Sequence, residues 1–131
     1  ASIVNKNAVV YGERTKKIFV NYQDFQTQNN TNNKFLKTYM TLLNELTNKV
    51  KERNSEPIYI TQISGYGINA ELFNAAEAIL KHCENQNLNC VNLAKEIDLN
   101  YEDFYDELHL NPKGSKKVFT YLSSRLNKII N

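Results

Sequence analysis

The chain has 131 residues, 41% of them hydrophobic, and a formal net charge of +2 at neutral pH. This length allows at most one domain, residues 1–131, and the hydrophobic fraction is enough for a packed core. The small charge and the scattered lysines argue against nucleic acid as a partner. No apolar run approaches the roughly 20 residues that cross a bilayer. The N-terminus lacks the apolar region of a signal peptide.

The first part of the chain predicts strands and loops. Val9–Tyr11 has the composition of a short strand and is followed by a predicted turn at residues 12–14. Lys17–Tyr22 is a short run with β-branched and aromatic residues, which is typical of a buried strand. The polar loop over 26–33 follows it, at the end of a strand where open α/β sheets place their ligands.

The middle of the chain alternates between helical and strand patterns. A helix is predicted over 33–53, a strand over 58–63, a second helix over 70–83 and a strand over 89–93. The apolar stripe of the first helix comprises Leu36, Tyr39, Met40, Leu43, Leu46 and Val50. With the strand over 17–22 and a final helix, this order predicts a three-layer α/β fold with a parallel sheet flanked by helices.

Two cysteines and one histidine mark the end of the second helix. Cys83 and Cys90 either form a disulfide, as in exported proteins, or remain buried thiols, and the disulfide is slightly favoured. A secreted or periplasmic location is therefore slightly favoured over a cytoplasmic one. No further ligands are spaced to make a metal site with them, and no cofactor is predicted. His82 is expected to be structural, at the negative end of the helix dipole.

The most informative stretch runs from Asp106 to Gly114. Asn111 is a good N-cap and Pro112 suits the first helical position, so a helix should start there. Its apolar face should comprise Val118, Phe119, Leu122, Leu126 and Ile129. His109 would then lie on a short loop before a fixed helix. A histidine transfers protons near neutral pH, and a nearby carboxylate such as Asp106 can orient it.

This stretch, Asp-x-x-His-Leu-Asn-x-x-Gly, resembles the last signature block of the SGNH (GDSL-type) hydrolases. The resemblance implies that Asp106 and His109 complete a Ser-His-Asp triad on a flavodoxin-like fold. It also places residues 21–24 where the family has Gly-x-Asn-Asp, and only the last residue, Asp24, matches. Gln23 would replace the oxyanion-hole asparagine, with Asn21 as the competing candidate. Asp24, Tyr22 and Tyr66 are candidates for contacts with substrate.

The family's nucleophile lies in a Gly-Asp-Ser block on its first strand, and no Gly-Asp-Ser occurs here. Ser2 is too close to Asp24 to leave room for a βαβ unit of about 30 residues. Ser64 and Ser115 lack the glycines of a nucleophile elbow. The resemblance therefore covers most of residues 17–130 and implies only the C-terminal half of a hydrolase.

Three functional hypotheses follow. The leading one is hydrolysis of an ester, of a lipid or an acylated carbohydrate, with the serine supplied by a companion polypeptide segment. The second is an inactive SGNH-like module that binds a carbohydrate or a protein, with Tyr22, Tyr66 and Tyr105 available to stack on sugar rings. The third and weakest is a flavodoxin-like regulatory domain, which should be a self-sufficient monomer.

Overall fold

The computed structural model describes residues 14–25 and 33–131, with side chains from residue 36 onward in the second range. This part of the chain is a mixed α/β structure with a small parallel sheet. Its helices and strands are α1 (Asn33–Glu52), β1 (Ile58–Ile60), α2 (Ala70–Gln86), β2 (Asn89–Val91), α3 (Leu93–Glu96) and α4 (Pro112–Ile130). Two 3₁₀ turns, Tyr22–Asp24 and Tyr101–Asp103, complete the elements.

The sheet consists of β1 and β2, which run parallel with Ile58 opposite Asn89 and Ile60 opposite Val91. Helix α2 connects them. It begins where the side chain of Asn69 accepts a hydrogen bond from the amide of Leu72. It ends at a residue in the left-handed region, Asn87, which tolerates that conformation better than most residues.

The core lies between α1, α2 and the sheet. Leu43, Ile79 and Cys83 are buried together, and half-buried side chains pack around them: Tyr39, Met40, Tyr59, Leu88 and Cys90. Cys83 and Cys90 are joined in a disulfide, which ties the last turns of α2 to β2. The disulfide therefore links two of the elements that enclose the core.

Three expectations about strands and faces were wrong. The strand over 17–22 is reduced to one bridge, Val20 beside Gly67, and the chain then turns into the 3₁₀ turn. At this bridge the amide of Val20 donates to the carbonyl of Tyr66, and the carbonyl of Val20 accepts the amide of Ile68, each over 2.9 Å. Strands β1 and β2 are also shorter than the apolar runs that predicted them. On the helices, Leu46 is exposed and Phe119 is 73% exposed, so the apolar stripes are narrower than expected.

Two expected features lie outside the described residues. They are the Val9–Tyr11 strand and the polar loop over 26–33, of which only Asn33, the first residue of α1, is described. Across the described ranges, no helix combines the length and the apolar character that a membrane crossing requires.

Candidate active site

Helix α4 begins as its sequence predicts. The side chain of Asn111 accepts a hydrogen bond from the amide of Gly114, and Pro112 occupies the first turn. Gly114 is buried against Asp103, and a Cβ there would lie 2.1 Å from the Asp103 carbonyl oxygen. The helix start can therefore approach the preceding turn only because this residue has no side chain.

Asp106 and His109 lie at the tip of a loop that closes on itself. Phe104 and Leu110 form an antiparallel bridge at its base. The amide of Tyr105 donates to the carbonyl of His109 over 2.8 Å. The residues between these contacts, including the carboxylate and the imidazole, are thus confined to a short, backbone-bonded turn.

The carboxylate of Asp106 contacts the imidazole directly. The His109 Nδ1 atom lies 2.9 Å from Oδ2 and 3.0 Å from Oδ1. Oδ1 also accepts the backbone amides of Leu108 and His109, each over 2.8 Å. The Asp106 side chain is 13% exposed and that of His109 is 52% exposed. The turn therefore holds the carboxylate inside and presents the ring at the surface.

Electrostatics favour the ionised carboxylate. Burial alone would raise the pKa of Asp106, but hydrogen bonds from the Leu108 amide and from the ring and amide of His109 outweigh it, and the net pKa is lowered. An ionised Asp106 accepts from Nδ1–H, which fixes the tautomer in which Nε2 can act as a base. Nε2 points away from Asp106, on the far side of the ring.

The turn at 64–67 packs on this loop at very short range. The amide of Gly65 donates to the carbonyl of Glu107 over 2.8 Å. A Cβ on Gly65 would lie 2.0 Å from the carbonyl oxygen of Asp106, so no other residue fits without moving the loop. The close contact at this glycine is with the backbone of the loop that carries the Asp106–His109 dyad.

A buried ion pair lies beneath the loop. Asp103 is fully buried, and one of its oxygens receives the Lys117 ammonium of α4 over 2.8 Å. The same oxygen accepts the Asn100 amide, and the Asp103 carbonyl accepts the Asn111 amide over 2.9 Å. Asp103 thereby links the turn before the loop to the helix after it.

Arg14 is the residue that sequence reasoning missed. It was placed in a turn, and the structure puts its guanidinium among the carbonyls of Gly65, Tyr101 and Phe104. It also lies 3.4 Å above the centre of the Tyr101 ring. Nothing in the local sequence signals these partners, because all of them are distant along the chain.

The two candidate oxyanion residues lie elsewhere. Asn21 approaches Asp24 within 3.5 Å through its side-chain amide, and Gln23 donates to the carbonyl of Lys95 over 3.4 Å. Both line a polar pocket of about 290 Å³ whose other walls are Ile63 and residues 94–99. That lining does not include Asp106 or His109, so the structure does not bring the candidate donors and the dyad into one pocket.

The candidate substrate tyrosines make internal contacts. The Tyr22 hydroxyl donates to Glu77 over 2.7 Å, and its ring lies 5.2 Å from that of Phe73. Burial and the bond to Glu77 raise the pKa of Tyr22. The Tyr66 hydroxyl accepts the amide of Thr15 over 3.0 Å. The remaining candidate for substrate contact, Asp24, is exposed beside Asn21. Tyr105 is 53% exposed and belongs to the loop that carries Asp106 and His109.

The serines considered as nucleophiles fall in different settings. Ser64 bonds through its hydroxyl to the carbonyl of Gly67, and Ser115 is exposed in the first turn of α4. Ser2 lies outside the described residues. Among the residues that the structure describes, no group of three or more histidine, cysteine, aspartate or glutamate side chains is placed to hold a metal ion.

Comparison with known proteins adds no relative. No protein-family model matches the chain, and neither the curated proteins nor the solved structures contain a significant match. The functional argument therefore depends on the site geometry and the motif.

Proposed function

We propose that this chain is the C-terminal part of an SGNH-type serine ester hydrolase. In this proposal Asp106 and His109 form the proton-transfer pair, and a companion polypeptide segment supplies the serine. The fold would be the second half of a three-layer, flavodoxin-like sheet structure that the companion segment completes. The substrate would be an ester of a lipid or of an acylated carbohydrate.

The observation that carries the proposal is the geometry of the dyad. A carboxylate that is mostly buried receives Nδ1 of a half-exposed imidazole over 2.9 Å, and two backbone amides hold the carboxylate in place. The same arrangement orients the histidine in Ser-His-Asp hydrolases.

The chemistry follows from this orientation. The serine hydroxyl attacks the ester carbonyl carbon while Nε2 of His109 takes the hydroxyl proton. The resulting imidazolium is stabilised by Asp106 and returns the proton to the leaving alcohol. Water then attacks the acyl-serine with the same base, which releases the acid and restores the serine. Gln23 or Asn21 would serve as oxyanion donor only after moving, because both amides now bond elsewhere.

Unpaired strand edges support the idea of a companion segment. The described sheet has two strands of three residues each, and two-stranded sheets are marginal without further cover. Several large apolar side chains of the described residues are exposed, namely Ile18, Leu42, Leu46, Ile60, Leu108, Phe119 and Ile130. An added strand and its helix would cover part of this surface.

The test is fluorophosphonate labelling of the protein purified with any companion segment that it retains, followed by mapping of the label. The proposal expects one labelled serine in the companion segment. It expects His109→Ala to lower labelling and p-nitrophenyl ester turnover by about 10²- to 10⁴-fold. Lys116→Ala, at an exposed position on α4, serves as control and should change neither. Unchanged turnover in His109→Ala would rule the hydrolase out.

One observation favours the alternative, an inactive module that binds a carbohydrate or a protein. The amides of Asn21 and Gln23 bond within the molecule and lie in a pocket without the dyad. This alternative predicts no labelled serine in any segment of the purified protein. Binding of a glycan or a protein should then survive His109→Ala unchanged.

A further inference from the structure

Arg14 joins two parts of the structure that meet at the dyad. One terminal nitrogen of its guanidinium donates to the carbonyl of Gly65, and the other donates to the carbonyls of Tyr101 and Phe104, over 2.7 and 2.8 Å. The cation also stacks on the Tyr101 ring, at 3.4 Å from its centre. A planar guanidinium can bind several carbonyls at once, which an ammonium on a flexible chain cannot do with fixed geometry.

These carbonyls belong to the supports of the dyad loop. Phe104 forms the base of the loop through its bridge with Leu110. Gly65 reaches the tip, where its amide bonds to the carbonyl of Glu107 over 2.8 Å. Arg14 therefore fixes the base of the loop and the turn at its tip relative to each other, through a single side chain.

We propose that Arg14 is a positioning residue that holds the loop bearing Asp106 and His109 against the turn at 64–67. It touches neither side chain of the dyad and acts through the backbone of Gly65 and Phe104. Its role in catalysis rests on the proposed ester hydrolase, whereas its role in ordering the loop can be measured without any activity.

The backbone amides of Leu108 and His109 report on the loop directly, because both donate to Oδ1 of Asp106. The amide of Thr61, which donates to Val91 between the two strands, reports on the core. Hydrogen exchange at these amides in Arg14→Gln, measured by NMR, therefore separates local loosening of the loop from general loss of stability.

In Arg14→Gln we expect exchange at Leu108 and His109 to accelerate about 10- to 100-fold, while Thr61 changes by less than about threefold. Lys17→Gln is the matched control. It removes the same charge from the same segment, where the Lys17 ammonium pairs with Glu102 at the surface and lies 6.0 Å from the centre of the Tyr101 ring. Exchange at the loop amides should stay at the wild-type rate in this variant.

A second variant, Arg14→Lys, keeps the positive charge but lacks the planar guanidinium that binds several carbonyls at once. Exchange at the amides of Leu108 and His109 should therefore still accelerate several-fold. This variant carries the test if Arg14→Gln does not fold. Unchanged loop exchange in Arg14→Lys, or an equal acceleration at Thr61, overturns the proposal. In an assembly that hydrolyses esters, Arg14→Lys should lower kcat more than it changes KM, because the residue orients the base. If no assembly hydrolyses esters, the exchange result still decides the loop-ordering role.

Discussion

The chain contains two histidines, and the structure places them in opposite environments. His82 is 1% exposed in the core, where Nε2 lies 2.8 Å from the Thr47 hydroxyl and the ring packs edge-on to Tyr59. His109 is half exposed on a loop, with Nδ1 against a carboxylate. One ring has neutral hydroxyl and aromatic neighbours, and the other has an anion.

The difference separates a structural imidazole from one suited to proton transfer. Burial, followed by the charge of Lys51, lowers the pKa of His82, so folding favours the neutral ring. The dipole of α2 was expected to favour a charged ring there, and that reason was wrong because the ring points into the core. His109 instead lies outside the core, with Nδ1 against the carboxylate of Asp106.

The largest expected effect on stability comes from removing the buried ring. His82→Ala should lower the free energy of unfolding by about 2–4 kcal/mol, because it leaves a cavity and deprives the Thr47 hydroxyl of a partner. His109→Ala should change it by less than about 1 kcal/mol, because its side chain is half exposed. Urea denaturation of both variants measures this. Equal losses in the two variants would contradict the division of roles.

Local signals predicted the parts of the structure that depend on neighbouring residues. The start of α4 is encoded by Asn111 and Pro112, which act within one turn of the helix. The proximity of Asp106 and His109 follows from a spacing of three across a turn. Both could be inferred from the sequence because no distant part of the chain is needed to form them.

Contacts between distant segments could not be predicted. The partners of Arg14 lie 51, 87 and 90 residues away along the chain, and they are carbonyls that every residue possesses. The strand expected over 17–22 failed for a related reason. Its apolar composition predicted a buried strand, yet none of residues 17–22 is buried and Ile18 is 51% exposed. Pairing requires a neighbouring strand, and the turn at 64–67 offers only one bridging position beside Val20.

A smaller effect, at the loop that carries the exposed histidine, is expected from Gly65→Ala. The new Cβ would lie 2.0 Å from the carbonyl oxygen of Asp106, and the loop must move to admit it. Overpacking of this kind costs about 1–3 kcal/mol. Amide exchange at His109 should accelerate, while that at Thr61 in the core should follow only the change in global stability. Gln62→Ala, at the exposed position nearby, is the control, and wild-type exchange at His109 in Gly65→Ala would contradict the packing argument.

The smallest effect is the pH dependence that the buried histidine contributes to stability. The pKa of His82 is lowered from 6.5 on folding, chiefly by burial. Well above pH 6.5 the ring is neutral in both the folded and the unfolded chain, and its full contribution to the free energy of unfolding is present. As the pH falls below 6.5, His82 binds a proton in the unfolded chain but not in the folded one. The free energy of unfolding therefore decreases until the pH reaches the pKa of the folded protein.

The difference in unfolding free energy between wild type and His82→Gln, followed from pH 7.5 downward, isolates this contribution because the glutamine does not titrate. It should shrink as the pH falls below 6.5. Asp106 acts in a lower window. Its lowered pKa contributes stability above pH 3.8 that is lost as the pH falls through the folded value. The contrary result is a difference in unfolding free energy between wild type and His82→Gln that stays constant from pH 7.5 down to the acid transition. It would mean that the buried ring takes up its proton as readily as an exposed one. The contrast between the two histidines would then have no basis in burial.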